Sequence, residues 1–254
     1  MPEPNPLGEP TNPWMIHEVS IFLFALIAGF QIASTARTRT LSPTALVFIA
    51  GVATFWQEFY DDWAVYLLWN PAFPLLPWGQ TPYTTPYKPA FVPFAWGWFY
   101  SLAIPTFVRL TDRMHRSRPE VPTLLVSALI VGPLLWAYDV GVEFTAVSNG
   151  WWSFTKPIGP TWSTPYGAYP IWYPVNLFVL WGIVFVWLLM LRDEHGVWWH
   201  ERVLRVQQIR PGLGREIARA GAMALLFNIT FLCINNATPF IHRVVTGGRS
   251  DLVL

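Results

Sequence analysis

Residues 44–69 read TALVFIAGVATFWQEFYDDWAVYLLW. As one helix these 26 residues would run about 39 Å, more than the roughly 20 residues that a hydrocarbon core of about 30 Å asks for. Most of the stretch suits lipid, yet it carries Glu58, Asp61 and Asp62. Ionisable groups inside a span cost a few kcal/mol each and are functional candidates by default. Positions i, i+3 and i+4 share a helical face, so Glu58 projects beside both aspartates.

Five further segments have the same character: residues 16–34, 91–110, 121–143, 172–191 and 217–239. The whole chain of 254 residues is 53% hydrophobic and 12% charged, where a soluble domain carries roughly 25% charge. Too little charge is present to cover a soluble surface. The expected fold is all-α, a polytopic transmembrane bundle of about six helices. It would form one domain, residues 16–240, between an extracytoplasmic segment 1–15 and a tail 241–254.

Basic residues set the orientation. Eleven arginines fall after the first, third and fifth segments: Arg37 and Arg39; Arg109, Arg113, Arg116 and Arg118; Arg192, Arg202, Arg205, Arg210 and Arg215. Only Lys88, Lys156, Arg243 and Arg249 lie on the other side, and Arg219 opens the sixth segment. The expectation is a multi-pass cell-membrane protein with both termini outside. Residues 1–13 hold five prolines and no basic region before the apolar run, unlike a signal peptide.

The outer loops, 70–90 and 144–171, are dense in Pro, Trp, Tyr and Gly. Proline fixes φ and lacks an N–H, so neither should be a regular helix or a central strand; ordered lids on the helix ends are expected. The longest inner loop, 192–216, is expected to carry an amphipathic helix on the membrane surface. A net charge of +1 gives no reason to expect a nucleic-acid partner, and Cys233, the one cysteine, allows no internal disulfide. No dinucleotide, P-loop, H-E-x-x-H or C-x-x-C spacing occurs. No cofactor or metal is expected; the partners implied are membrane lipids and a lipophilic small molecule.

Asp139 and Glu143, an i, i+4 pair, lie toward the same outer end as Glu58, Asp61 and Asp62. His17 and Glu18 open the first segment there, and Asn235 and Asn236 close the sixth, with Asn228 deeper. Carboxyls side by side in a weakly polar cavity cannot all ionise. A protonated one is a general acid and an ionised neighbour a general base. Trp56, Tyr66, Trp136, Trp151, Trp152 and Tyr169 are candidate walls, and His17, Asn70, Asn235 and Asn236 candidate polar contacts to substrate. Plainer readings stand beside these. Asp61 and Asp62 would be solvated at the interface, Glu58 and the Asp139–Glu143 pair would be structural, the aromatics interfacial anchors, and the asparagines helix-packing glue.

The run Phe55-Trp56-Gln57-Glu58 followed by Asp61-Asp62 and Asn70-Pro71 resembles the AveC-like family of bacterial membrane proteins, named for the spirocyclase of the avermectin pathway. The likeness continues through Asp139-Val140-Gly141-Val142-Glu143, Tyr169-Pro170, Arg192-Asp193-Glu194-His195-Gly196, Glu201-Arg202 and Asn235-Asn236-Ala237-Thr238-Pro239, covering residues 48–239. The chain departs from the family where Asp-Pro is replaced by Glu58-Phe59, and where Ile171-Trp172-Tyr173-Pro174 supplies no glutamate. The resemblance implies spiroketal formation in polyketide maturation, in some members with a dehydration. Glu58 with Asp62, and Asp139 with Glu143, would be the acid/base pairs. A membrane terpene or isoprenoid cyclase would use the same groups. Against a proton-coupled carrier stand the lack of an inverted repeat and of acidic or basic residues along the inner halves of the spans, which leaves no relay across the bilayer; a non-catalytic lipid-binding or scaffold protein would tolerate loss of the carboxyls.

Overall fold

The computed structural model describes residues 5–248, 252 and 253, without the side chains of residues 176 and 177. Residues 1–4 of the expected N-terminal segment, Arg249 from the outer basic set and part of the expected tail lie outside the described residues.

The chain is predominantly helical. Helix α1 (Pro13–Thr38) opens with proline at its first turn, where the missing N–H costs nothing. Helix α2 (Pro43–Thr54) is capped by Ser42, whose Oγ accepts from Ala45 N at 3.0 Å. A 3₁₀ turn (Phe55–Gln57) leads into α3 (Glu58–Ala64). Long helices α4 (Val92–Ser117) and α5 (Thr123–Ser148) follow. A π-helical turn (Val175–Val179) then precedes α6 (Leu180–Met190). After the short α7 (Trp199–Val203), helix α8 (Leu213–Thr230), a second π-helical turn (Phe231–Asn236) and α9 (Ala237–Thr246) make one continuous run. Helix thus occurs in each of the six expected segments, although the second leaves helix after Ala64. Three runs, Pro13–Thr38, Thr123–Ser148 and Leu213–Thr246, are long and apolar enough to cross a membrane. Along α1, Phe22, Leu26, Phe30 and Ile32 are 58–70% exposed, an apolar flank compatible with lipid and costly in water.

Close backbone approach sets the packing at the centre. A Cβ on Gly51 would stand 2.7 Å from the Trp96 carbonyl oxygen, so only glycine lets α2 lie this near α4. Gly182 plays the same part between α6 and α5, where a Cβ would meet Leu135 at 2.5 Å. Trp181, Phe185, Phe227 and Phe231 fill the volume between α6 and α8, fully buried.

The loops 70–90 and 144–171 are ordered, as their composition implies. Strand β1 (Leu67–Trp69), once the end of the expected second span, pairs antiparallel with β2 (Trp152–Phe154), setting Trp69 opposite Trp152. One loop is thereby laced to the other; β3 (Thr161–Thr164) and β4 (Gly167–Pro170) add a hairpin. Asn70 gathers the layer: its Nδ2 donates to Gly150 O at 2.8 Å and Gly8 O at 3.1 Å, and its Oδ1 accepts from Asn5. The Trp151 indole donates to Thr11 O at 2.7 Å. The N-terminal segment and both loops therefore share one end of the bundle. Arg243 joins them there, donating to Trp63 O and lying 3.9 Å over the Trp63 ring. Helix α9 thus runs six residues into the expected tail.

At the opposite end, residues 192–216 do not form the expected amphipathic helix. Gly196 and Arg205 take positive φ and Pro211 follows, so before α8 begins at Leu213 helix is confined to α7 and a single 3₁₀ turn. Glu201 of α7 is tied to Arg219 of α8 at 2.9 Å, and Arg219 reaches Glu216 at 2.9 Å and Leu41 O at 3.2 Å.

A carboxyl cluster beside an aromatic cavity

Two helix irregularities face each other at the heart of the site. Thr54 Oγ1 donates back to Ala50 O at 2.8 Å, where α2 tightens into its 3₁₀ turn. Asn228 of α8 donates to that same Thr54 oxygen at 2.7 Å and accepts from Gln57 Nε2 at 2.9 Å. The π-helical turn then rotates the next two amides inward. Asn236 Nδ2 donates to Gln57 Oε1 at 3.3 Å, and Asn235 Nδ2 donates to Asp61 Oδ2 at 3.0 Å. This polar chain fixes the angle at which α3 leaves α2.

From α3 and α5 the five carboxyls converge. Glu58, Asp61, Asp62, Asp139 and Glu143 all line one small void of about 20 Å³, closed by Phe154, Tyr173 and others. A void that size admits about one water molecule. Glu58, Asp139 and Glu143 also line a much larger cavity of about 690 Å³ between α1, α4 and α5. Asp61 and Asp62 do not, so the expected Glu58–Asp62 pair splits: Glu58 faces the cavity and Asp62 stands behind it.

Indole N–H groups hold two of the acids, and the Trp96 indole of α4 stands beside a third, Glu58. Trp152 of β2 donates to Glu143 Oε2 at 2.8 Å, and Trp69 of β1 to Asp62 Oδ2 at 2.6 Å. The β1–β2 ladder thus delivers two donors to two helices, with the Trp69 and Trp152 rings 4.5 Å apart. Asp61 Oδ1 has no partner. Among the described residues no three His, Cys, Asp or Glu side chains are arranged to hold a metal ion.

The large cavity is mostly apolar, walled by Phe91, Val92, Trp96, Phe99 and Tyr138, with Phe99 stacked on Tyr138 at 4.5 Å. Trp98 Nε1 and the Tyr100 hydroxyl belong to two further wall residues, and neither atom has a hydrogen-bond partner. Met15 and Val19 of α1 line it although they are 52% and 47% exposed, as do exposed Gly141 and Thr145 of α5. The mouth therefore opens on the flank of the bundle, between α1 and α5.

Of the candidate walls, Trp151 and Trp152 line this cavity. Trp56 and Trp136, each 38% exposed, point outward, because the 3₁₀ turn and the pitch of α5 put them on the far face. Tyr66 is buried beneath Arg243, at 4.1 Å from the guanidinium. Asn70 is consumed in the lid, and Asn235 and Asn236 in the α3–α8 network. His17 packs against Trp14 and Phe91, outside the cavity lining. Tyr169 is fully buried, its hydroxyl unpartnered; burial first, then the charges of Asp139 and Glu143, push its phenol above the usual range, so it stays a neutral donor.

Helix α4 is the wall that sequence reasoning passed over. Its signal was available: Trp96, Phe99 and Tyr100 sit at i, i+3 and i+4, one aromatic face. Lys88 was read only as a topological charge. It is 1% exposed, its Nζ donates to Thr85 O at 2.9 Å, and burial lowers it from the usual lysine range while Asp62 pulls it back. Comparison with family models, with curated proteins and with solved structures finds no match.

Proposed function

We propose that the six helical runs span a cell membrane with both termini outside, and that the chain is a membrane-embedded, cofactor-independent acid–base cyclase. The substrate class is a lipophilic polyketide-type hydroxyketone, cyclised to a spiroketal or dehydrated. One observation carries this reading: carboxyls from two separate helices share a water-sized void, and three of them also face a 690 Å³ aromatic cavity. A cavity of that size suits a small organic molecule. The unpartnered Trp98 N–H and Tyr100 hydroxyl offer hydrogen bonds to oxygen, favouring an oxygenated substrate over a bare polyene. The resemblance to the AveC-like family points the same way.

In the proposed reaction a dihydroxyketone enters through the flank between α1 and α5. One hydroxyl adds to the ketone to give a hemiketal. A protonated carboxyl among Glu58, Asp139 and Glu143 gives its proton to the hemiketal hydroxyl, and water leaves. The oxocarbenium ion is stabilised by an ionised neighbour and the surrounding aromatic faces. The second hydroxyl attacks the cationic carbon and its proton passes to that neighbour. The acid has lost a proton and the base gained one, so the net change is loss of one water. Asp61 and Asp62, across the small void, are placed to return the proton through a bound water.

Purified protein in nanodiscs, incubated with a synthetic dihydroxyketone, is expected to release one enantiomer of the spiroketal in excess. A racemic product at the buffer rate would reject the cyclase and leave a lipid-binding protein.

A further inference from the structure

A second cavity of about 300 Å³ lies at the end of the helices opposite the carboxyl cluster. Val47 of α2, Ile104 of α4, Leu189 of α6 and Met223 of α8 make its wall apolar. Arg109 and Arg192 line it as well, from α4 and from two residues beyond α6. Among the described residues neither forms an ion pair, although Arg116, Arg202 and Arg219 nearby all do. Arg109 reaches only the Thr106 hydroxyl, at 3.0 Å. Arg192 reaches the Leu189 carbonyl at 3.2 Å and lies 5.2 Å over the Trp198 ring. Trp198 lines the same cavity, is 6% exposed, and has an indole N–H with no acceptor.

We propose that this cavity binds an anionic phosphate ester carried on an apolar chain. Two guanidinium groups outside any ion pair, with Asp112 acting on Arg192 only from beyond ion-pair distance, and a free N–H around one space call for an anion with several acceptor oxygens. Guanidinium forks match phosphate oxygens in pairs. The apolar wall excludes a bare, hydrated ion as the best fit and accommodates the first methylenes of a tail. Phosphate esters reach such a site from the lipid leaflet or from solution, and the recognition chemistry is the same. The proposal is independent of the cyclase reading.

The test uses the full chain in detergent micelles, with native mass spectrometry reading retained ligand. The probes are dioctanoyl phosphatidylglycerol, dioctanoyl phosphatidylcholine and inorganic phosphate. Phosphatidylglycerol is expected to be held at least ten-fold more tightly than phosphatidylcholine. The double variant Arg109→Gln/Arg192→Gln is expected to abolish that preference, and Arg109→Lys to weaken it less. Should the double variant misfold, Arg109→Gln alone carries the test, since Arg109 is exposed and its only side-chain bond is to Thr106. Arginine-dependent binding of inorganic phosphate as tight as that of the lipid would overturn the proposal, because the apolar wall would then contribute nothing. Equal retention of the two lipids, or a preference untouched by the variants, overturns the proposal.

Discussion

Trp152, on a strand of the lid, donates its indole N–H to Oε2 of Glu143, five residues before the end of α5, at 2.8 Å. The bond joins a proline- and aromatic-rich loop to one of the chain's most apolar helices. Hydrogen bonds to charged groups contribute about 1.5–3 kcal/mol, so Trp152→Phe should slow turnover roughly 10- to 100-fold. The loss should fall on kcat more than on KM. Steady-state kinetics checks this, and an unchanged kcat would mean that the lid does not orient the acid.

The three cavity-facing carboxyls should be far more sensitive than the two behind them. Glu58→Gln, Asp139→Asn and Glu143→Gln are each expected to cost about 10²- to 10⁴-fold in rate, the usual range for a lost general acid or base. Asp62→Asn keeps a partner for Trp69 and should cost less. Size-exclusion profiles accompany the assays to show that each variant stays folded. Equal tolerance of all four changes would leave the cluster a structural element.

Gly51→Ala should weaken the fold without touching a reacting group. The added methyl meets the Trp96 carbonyl at 2.7 Å, which forces α2 and α4 apart. Overpacking of this kind costs about 1–3 kcal/mol. A lowered melting temperature in detergent is the expected reading, with slower turnover because Trp96 and Glu58 line the same cavity.

His200 makes stability at the opposite end depend on pH. Both ring nitrogens lack partners, and burial together with Arg219 lowers the imidazole from 6.5 to about 4. The folded state thus prefers the neutral ring. Its contribution is fully present above about pH 6.5 and is lost as pH falls toward about 4. Melting temperatures measured from pH 8 to pH 4 should decline through that window, and His200→Phe should flatten that part of the decline. A decline of the same size in the variant would place the acid sensitivity elsewhere.

The helical class and the address of the acids could be read directly from the chain. Apolar runs of 19–26 residues have few ways to fold except as helices, and i, i+4 spacing puts Glu143 over Asp139 whatever surrounds them. The convergence of both acidic sets near one end followed from the alternation of arginine-rich loops. Pairing was not legible. That Trp69 and Trp152 meet, and that each holds a different acid, depends on a ladder that pairs these two residues across 83 positions of sequence, read from the β1–β2 register. Such contacts have no local signature. The outward turn of Trp56 depends on one tight turn in α2, and the division between front and rear carboxyls on how closely Gly51 lets α4 approach. Local sequence sets which residues are apolar, acidic or helical, because those are properties of a few neighbouring side chains. Which of them share a cavity is set by packing between distant segments, and only the folded chain decides it.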